Sequence, residues 1–95
     1  MRLIYHPEAE AELVDAAEYY EEQLPGLGAE FLDAVDAAVD VVVSDPLRPA
    51  VCGQGIRRHL LKRFPYALYY RVGTEEVRVL AVKHHSRHPD YWKHR

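Results

Sequence analysis

The chain has 95 residues, with 12 lysines and arginines against 15 aspartates and glutamates, a net charge of -3, and one cysteine. That length carries one modest core and excludes two, and the balance of apolar and charged residues excludes general disorder. The single Cys52 excludes an internal disulfide and a cysteine-rich zinc site, and no apolar run approaches the ~20 residues of a membrane span.

Charge follows Met1-Arg2-Leu3-Ile4-Tyr5 at once, leaving no room for a signal peptide. The expectation is one cytoplasmic domain over residues 1–95, needing no metal and no cofactor. Arg2 to Tyr5 alternates Leu3 and Tyr5 with Arg2 and Ile4, a short first strand. His6-Pro7 stops it, and Pro7 suits the first helical position, where its missing N–H loses no partner. Glu8, Glu10 and Glu12 oppose the macrodipole there. Ala9, Leu13, Ala16, Ala17, Tyr20 and Leu24 then repeat at helical spacing as a buried stripe. Pro25-Gly26-Leu27-Gly28 breaks the helix. A second helix is predicted from Ala29 to Ser44, burying Phe31, Val35, Ala38, Val39 and Val42, with Asp33, Asp36 and Asp40 outward. Asp45-Pro46 ends it. The short connection forces an antiparallel helical hairpin, and Leu47 to Gly55 is a returning loop.

Three strands follow. Ile56 to Leu61 is interrupted by Arg57, Arg58 and His59 and reads as a strand near an edge. Tyr66 to Val72 sets Tyr66, Leu68, Tyr70 and Val72 on one face and Ala67, Tyr69 and Arg71 on the other. Pro65 marks its start, since it cannot donate to a ladder. Val77 to His84 carries β-branched Val77, Val79 and Val82, after a polar Gly73-Thr74-Glu75-Glu76 connection of hairpin length. The class is α+β, in the order β-α-α-β-β-β, with the helical hairpin on one face of a small, mostly antiparallel sheet. Tyr20 and Tyr70 are expected between the first helix and the sheet. The opposite face is expected to be uncovered, lined by Arg, His and Tyr, with His84 and Arg87 on it.

Charge is divided along the chain. Residues 1–45 hold twelve acids and one base, Arg2, whereas residues 46–95 hold eleven bases and three acids, with five of the six histidines. A basic second half suits a polyanion; acidic helices suit solvent or a basic partner. Arg57, Arg58, His59, Lys62 and Arg63 can neutralise phosphates, or equally keep an edge strand from aggregating. Tyr69 and Arg71 share a face where bases could stack. His84 and Arg87 are candidates for proton transfer and charge stabilisation in metal-free RNA cleavage, against the ordinary presence of His and Arg in loops. Neighbouring His84 and His85 point to opposite sides of a strand, so they form no metal pair. Tyr91 and Trp92 either dock the tail on the body or meet a partner. Tyr19-Tyr20-Glu21 and Gly26-Leu27-Gly28 are most simply core and turn, since no strand precedes the glycines as a nucleotide loop requires.

An ordered set of these residues resembles the RelE/ParE superfamily of bacterial type II toxin–antitoxin toxins, in particular its plasmid-stabilisation branch. It comprises Tyr19-Tyr20-Glu21, Leu27-Gly28 with Phe31-Leu32, Arg57-Arg58, Arg63-Phe64-Pro65-Tyr66 and Leu68-Tyr69-Tyr70. Val79 to Val82, His84, Arg87, Pro89 and Tyr91-Trp92 complete it, over almost the whole chain. The resemblance implies a growth-inhibiting toxin neutralised by a cognate antitoxin encoded by a neighbouring gene. RelE-like members are mRNA interferases that cut messenger RNA on the ribosome; ParE-like members poison DNA gyrase. For the first, the implied residues are His84, Arg87 and Tyr91 for cleavage, with Arg57, Arg58, Lys62, Arg63, Tyr69, Arg71 and Arg78 for binding. The acidic helices depart from the basic character of RelE-type ribosome binders and make a gyrase-type target or a much reduced activity plausible, with RNA cleavage narrowly favoured over gyrase. A non-catalytic nucleic-acid-binding or protein-interaction domain is the remaining alternative.

Overall fold

The computed structural model describes residues 1–86 and Arg95. The elements are β1 (Arg2–Tyr5), α1 (Pro7–Gln23), α2 (Leu27–Ser44), β2 (Ile56–Leu60), β3 (Tyr66–Val72) and β4 (Glu76–His84). The sheet order is β1-β4-β3-β2. β4, β3 and β2 form an antiparallel meander, and β1 returns parallel to β4. The expected β-α-α-β-β-β order therefore holds, and β2 is an edge strand. Among the described residues, no helix is long and apolar enough to cross a membrane.

The helical hairpin is tighter than the glycines suggested. α2 begins at Leu27 rather than Ala29, because its first N–H groups find an acceptor across the turn. Gly26, left-handed at φ 91°, has no side chain to cap the helix. The Glu21 carboxylate of α1 does so instead, accepting the N–H of Gly26 at 3.0 and 3.1 Å and that of Gly28 at 3.0 Å. A Cβ on Gly28 would lie 2.7 Å from the Ala17 carbonyl oxygen, so glycine sets how closely the two helices approach. Leu24, expected in the stripe, has left the helix for an extended conformation and is 56% exposed.

Between hairpin and sheet lies an aromatic cluster. Tyr20 and Phe64 centroids are 4.9 Å apart, Phe31 and Tyr66 5.1 Å, and Phe31 and Phe64 5.2 Å. Such edge-on pairs add about 0.5–1.5 kcal/mol each beyond area burial. Tyr70 is fully buried, but under α2 rather than α1. It packs with Val42 and Val77, and its hydroxyl donates to the Pro46 carbonyl at 2.8 Å.

β4 does not alternate throughout. Tyr70 pairs with Val79 and Tyr69 with Ala81, so Leu80 is an extra residue in the ladder. This bulge turns Leu80 and Ala81 to the same outer face, where they cluster with Ile56, Ala67 and Tyr69. Beyond it the phase is shifted by one residue. Val82 rejoins the core on the helix side, and His84 follows it there, opposite Tyr66. The expectation that His84 stands on the open face is thus corrected. The outer face is not bare at its centre either: Tyr69 is 8% and Lys83 6% exposed.

Candidate functional site

Three of the predicted basic residues meet on the outer face. Arg71 lies directly opposite Arg78, Arg71 also pairs with Ile56, and Arg58 pairs with Tyr69. Like charges placed opposite one another repel, and local acceptors offset this. Arg71 donates to the Gln54 carbonyl at 3.1 Å, and Arg78 donates to Glu76 at 3.3 Å. That carbonyl is presented by a left-handed turn, with Gly53 at φ 120°, Gln54 at 54° and Gly55 at 73°. Arg58 is exposed. Tyr69 belongs to this face by register, but its ring is enclosed, with the Lys83 ammonium 5.5 Å from its centroid. It is not an open platform for a base. Lys83 was missed in the sequence because strict alternation from Val77 and Val79 turns it toward the helices.

The other basic candidates do not join this group. Arg57 pairs with Tyr70 and so points to the helix side, where it donates to the carbonyls of Leu47, at 3.1 Å, and Pro49. Its role there is to hold the loop before β2. Arg63, left-handed at φ 71°, pairs with Glu30 of α2 at 2.9 Å. Both partners are exposed, so the pair adds little stability. Lys62 is exposed in the same turn.

His84 stands elsewhere again. With Glu12, Asp15, Tyr19, Tyr20 and Tyr66 it lines a cleft of about 470 Å³ between α1 and the ends of β3 and β4. Its ring is edge-on to Tyr66 at 5.1 Å, and its Nδ1 accepts the Ser86 N–H at 3.0 Å. An Nδ1 that accepts a backbone N–H leaves the ring proton on Nε2. The carboxylate of Asp15 repels a phosphate. Arg87 and Tyr91, with the expected docking of Tyr91 and Trp92, lie outside the described residues. Among the described residues, no group of three or more His, Cys, Asp or Glu is placed to hold a metal ion.

Glu12 and Arg95 complete the edge of β4 where β1 ends. The last β1-side contact is the His6 N–H donating to the Val79 carbonyl at 2.9 Å. Further along, Glu12 accepts the Val82 N–H at 3.1 Å, and Arg95 donates to the Leu80 carbonyl at 3.1 Å. The two side chains bond to each other at 2.9 Å, and Arg95 also pairs with Glu8 at 3.0 Å. An ion pair thus stands where a neighbouring strand would have supplied backbone groups.

A family model described as "ParE toxin of type II toxin-antitoxin system, parDE" matches residues 3–89. A solved structure described as the chromosomal ParDE TA system from P. aeruginosa superposes with a TM-score of 0.78. The match covers 88% of this chain and 95% of that one at 20% sequence identity, which shows a shared fold. No curated protein gives a significant match.

Proposed function

This chain belongs to the ParE toxin family of type II toxin–antitoxin systems, and from that premise we propose that it arrests bacterial growth by binding DNA gyrase and is neutralised by an antitoxin encoded by a neighbouring gene. One observation carries the choice of a protein target over RNA cleavage. The bulge in β4 puts His84 on the helix side, in a cleft with two carboxylates, while Arg58, Arg71 and Arg78 stand on the outer face. His84 is thus held apart from the basic residues expected to bind a nucleic acid, which supports a protein target over RNA cleavage. The outer arginines instead offer a basic surface to an acidic partner or to the DNA that gyrase holds.

The test is induced expression with and without the neighbouring gene, followed by separate assays of DNA supercoiling and of translation. The reading expects arrest that the neighbour relieves, loss of supercoiling, and full toxicity in His84→Ala. The paired change Arg71→Glu with Arg78→Glu should abolish toxicity at unchanged soluble expression. Cleaved ribosome-bound messenger RNA, with toxicity lost in His84→Ala and supercoiling intact, would replace this reading by the mRNA interferase.

A further inference from the structure

The cleft beside α1 is not used by the reading above. Its walls are aromatic: Tyr19 and Tyr20 meet edge-on at 5.3 Å, Tyr20 and Tyr66 at 6.1 Å, and Tyr66 and His84 at 5.1 Å. Tyr19 is 55% exposed, so its ring is open to a ligand. Glu12 and Asp15 line the α1 side. Ring faces carry partial negative charge and carboxylates full negative charge, and a concave site built of both selects a cation. The molecule itself displays that preference. Next to the cleft, the Arg95 guanidinium is held by Glu8 at 3.0 Å and Glu12 at 2.9 Å, and its side chain is only 11% exposed. Asp15, one turn further along α1, has no ion-pair partner among the described residues.

We propose that this cleft seats an arginine side chain presented by the antitoxin, an assignment that rests on the toxin–antitoxin reading. Arginine fits better than lysine, because its flat guanidinium stacks on Tyr19 while its fork meets Asp15. The antitoxin fits better than the target because the two helices carry eleven acids and no lysine or arginine, whereas the target-facing side is basic. The segment of antitoxin that crosses α1 is therefore basic.

The proposal is tested with purified toxin and antitoxin. Asp15→Asn and Tyr19→Leu should each weaken binding about three- to thirtyfold, the span of one such contact from partly exposed to desolvated. Tyr19→Phe, which keeps the ring face, should bind as the parent does. All three should stay toxic without antitoxin, since they lie away from the outer arginines. As a probe independent of the antitoxin, N-acetyl-arginine amide should shift the Tyr19 and His84 resonances, and the uncharged citrulline analogue should not. Antitoxin binding within twofold of the parent in both Asp15→Asn and Tyr19→Leu overturns the inference, as does an equal response to the two amides. If the parent chain arrests no growth but discriminates the amides, the cation site stands and the toxin reading fails.

Discussion

Tyr70 offers the sharpest check on how the sheet and α2 hold together. Its ring is fully buried against Val42 and Val77, and its hydroxyl donates to the Pro46 carbonyl at 2.8 Å. Tyr70→Ala removes both the ring and the bond, and a large aromatic truncation of this kind costs about 3–5 kcal/mol. Tyr70→Phe keeps the ring and leaves the Pro46 carbonyl unpaired, which costs about 1–2 kcal/mol. Urea unfolding measures both, with the midpoint falling at constant slope. In a domain of this length each kcal/mol also lowers Tm by about 4–8 °C. Alkaline pH gives an independent reading. Burial raises the Tyr70 hydroxyl above its ordinary 10.0, Arg57 pulls it down, and Asp45 pushes it up. The unfolded chain then releases the proton before the folded one does, so stability is full below pH 10.0 and falls as pH rises further. Tyr5 and Tyr20 shift in the same direction, so Tyr70→Phe should reduce that loss without removing it. A cost below about 1 kcal/mol for Tyr70→Ala, the size of an ordinary surface change, would refute the packing described here.

Gly28→Ala should lose about 1–3 kcal/mol in urea unfolding, the cost of forcing atoms into a packed site, because its Cβ would meet the Ala17 carbonyl at 2.7 Å. Glu21→Ala should lose about 1 kcal/mol, as removal of a helix cap does; if both changes are silent, the Glu21 cap does not hold the hairpin. His59 is depressed below its ordinary 6.5, first by burial and then by Arg48 and Lys62. The unfolded state therefore binds the proton first, and stability is lost as pH falls from 6.5 through the folded value. His59→Gln should flatten that acid limb of a stability–pH curve, and parallel curves would show that His59 does not contribute to it.

The order of elements was legible because each boundary is written locally. Pro7, Asp45-Pro46 and Pro65 punctuate the chain, and the helical stripe and strand alternation need no distant partner. What was not legible depends on residues that meet only after folding. Glu21 reaches across the turn to cap α2, which moves the helix start back to Leu27 and leaves Leu24 outside. Arg57 looks like a phosphate ligand in a run of bases, yet it is taken up by two loop carbonyls. Nothing in its neighbours announces those acceptors. The clasp of Arg95 on Glu8 and Glu12 is equally silent in the sequence, since its members are separated by most of the chain.

The bulge at Leu80 has the largest functional consequence, and it left one trace. Four successive apolar residues, Val79-Leu80-Ala81-Val82, break an alternation that Val77-Arg78-Val79 had established. Such a run fits either a strand buried on both faces or a strand that has changed phase. Both hold here, since Val79 and Val82 enter the core while Leu80 and Ala81 close the outer face. Without the extra residue, His84 would share the outer face with Arg71 and Arg78, and Lys83 would point at the helices. With it, His84 is carried into the cleft beside α1, and among the described residues no histidine shares the outer face with Arg71 and Arg78. One inserted residue thus places His84 and the outer arginines on opposite faces of the sheet. It leaves each face suited to a binding partner of opposite charge, basic against α1 and acidic against the arginines.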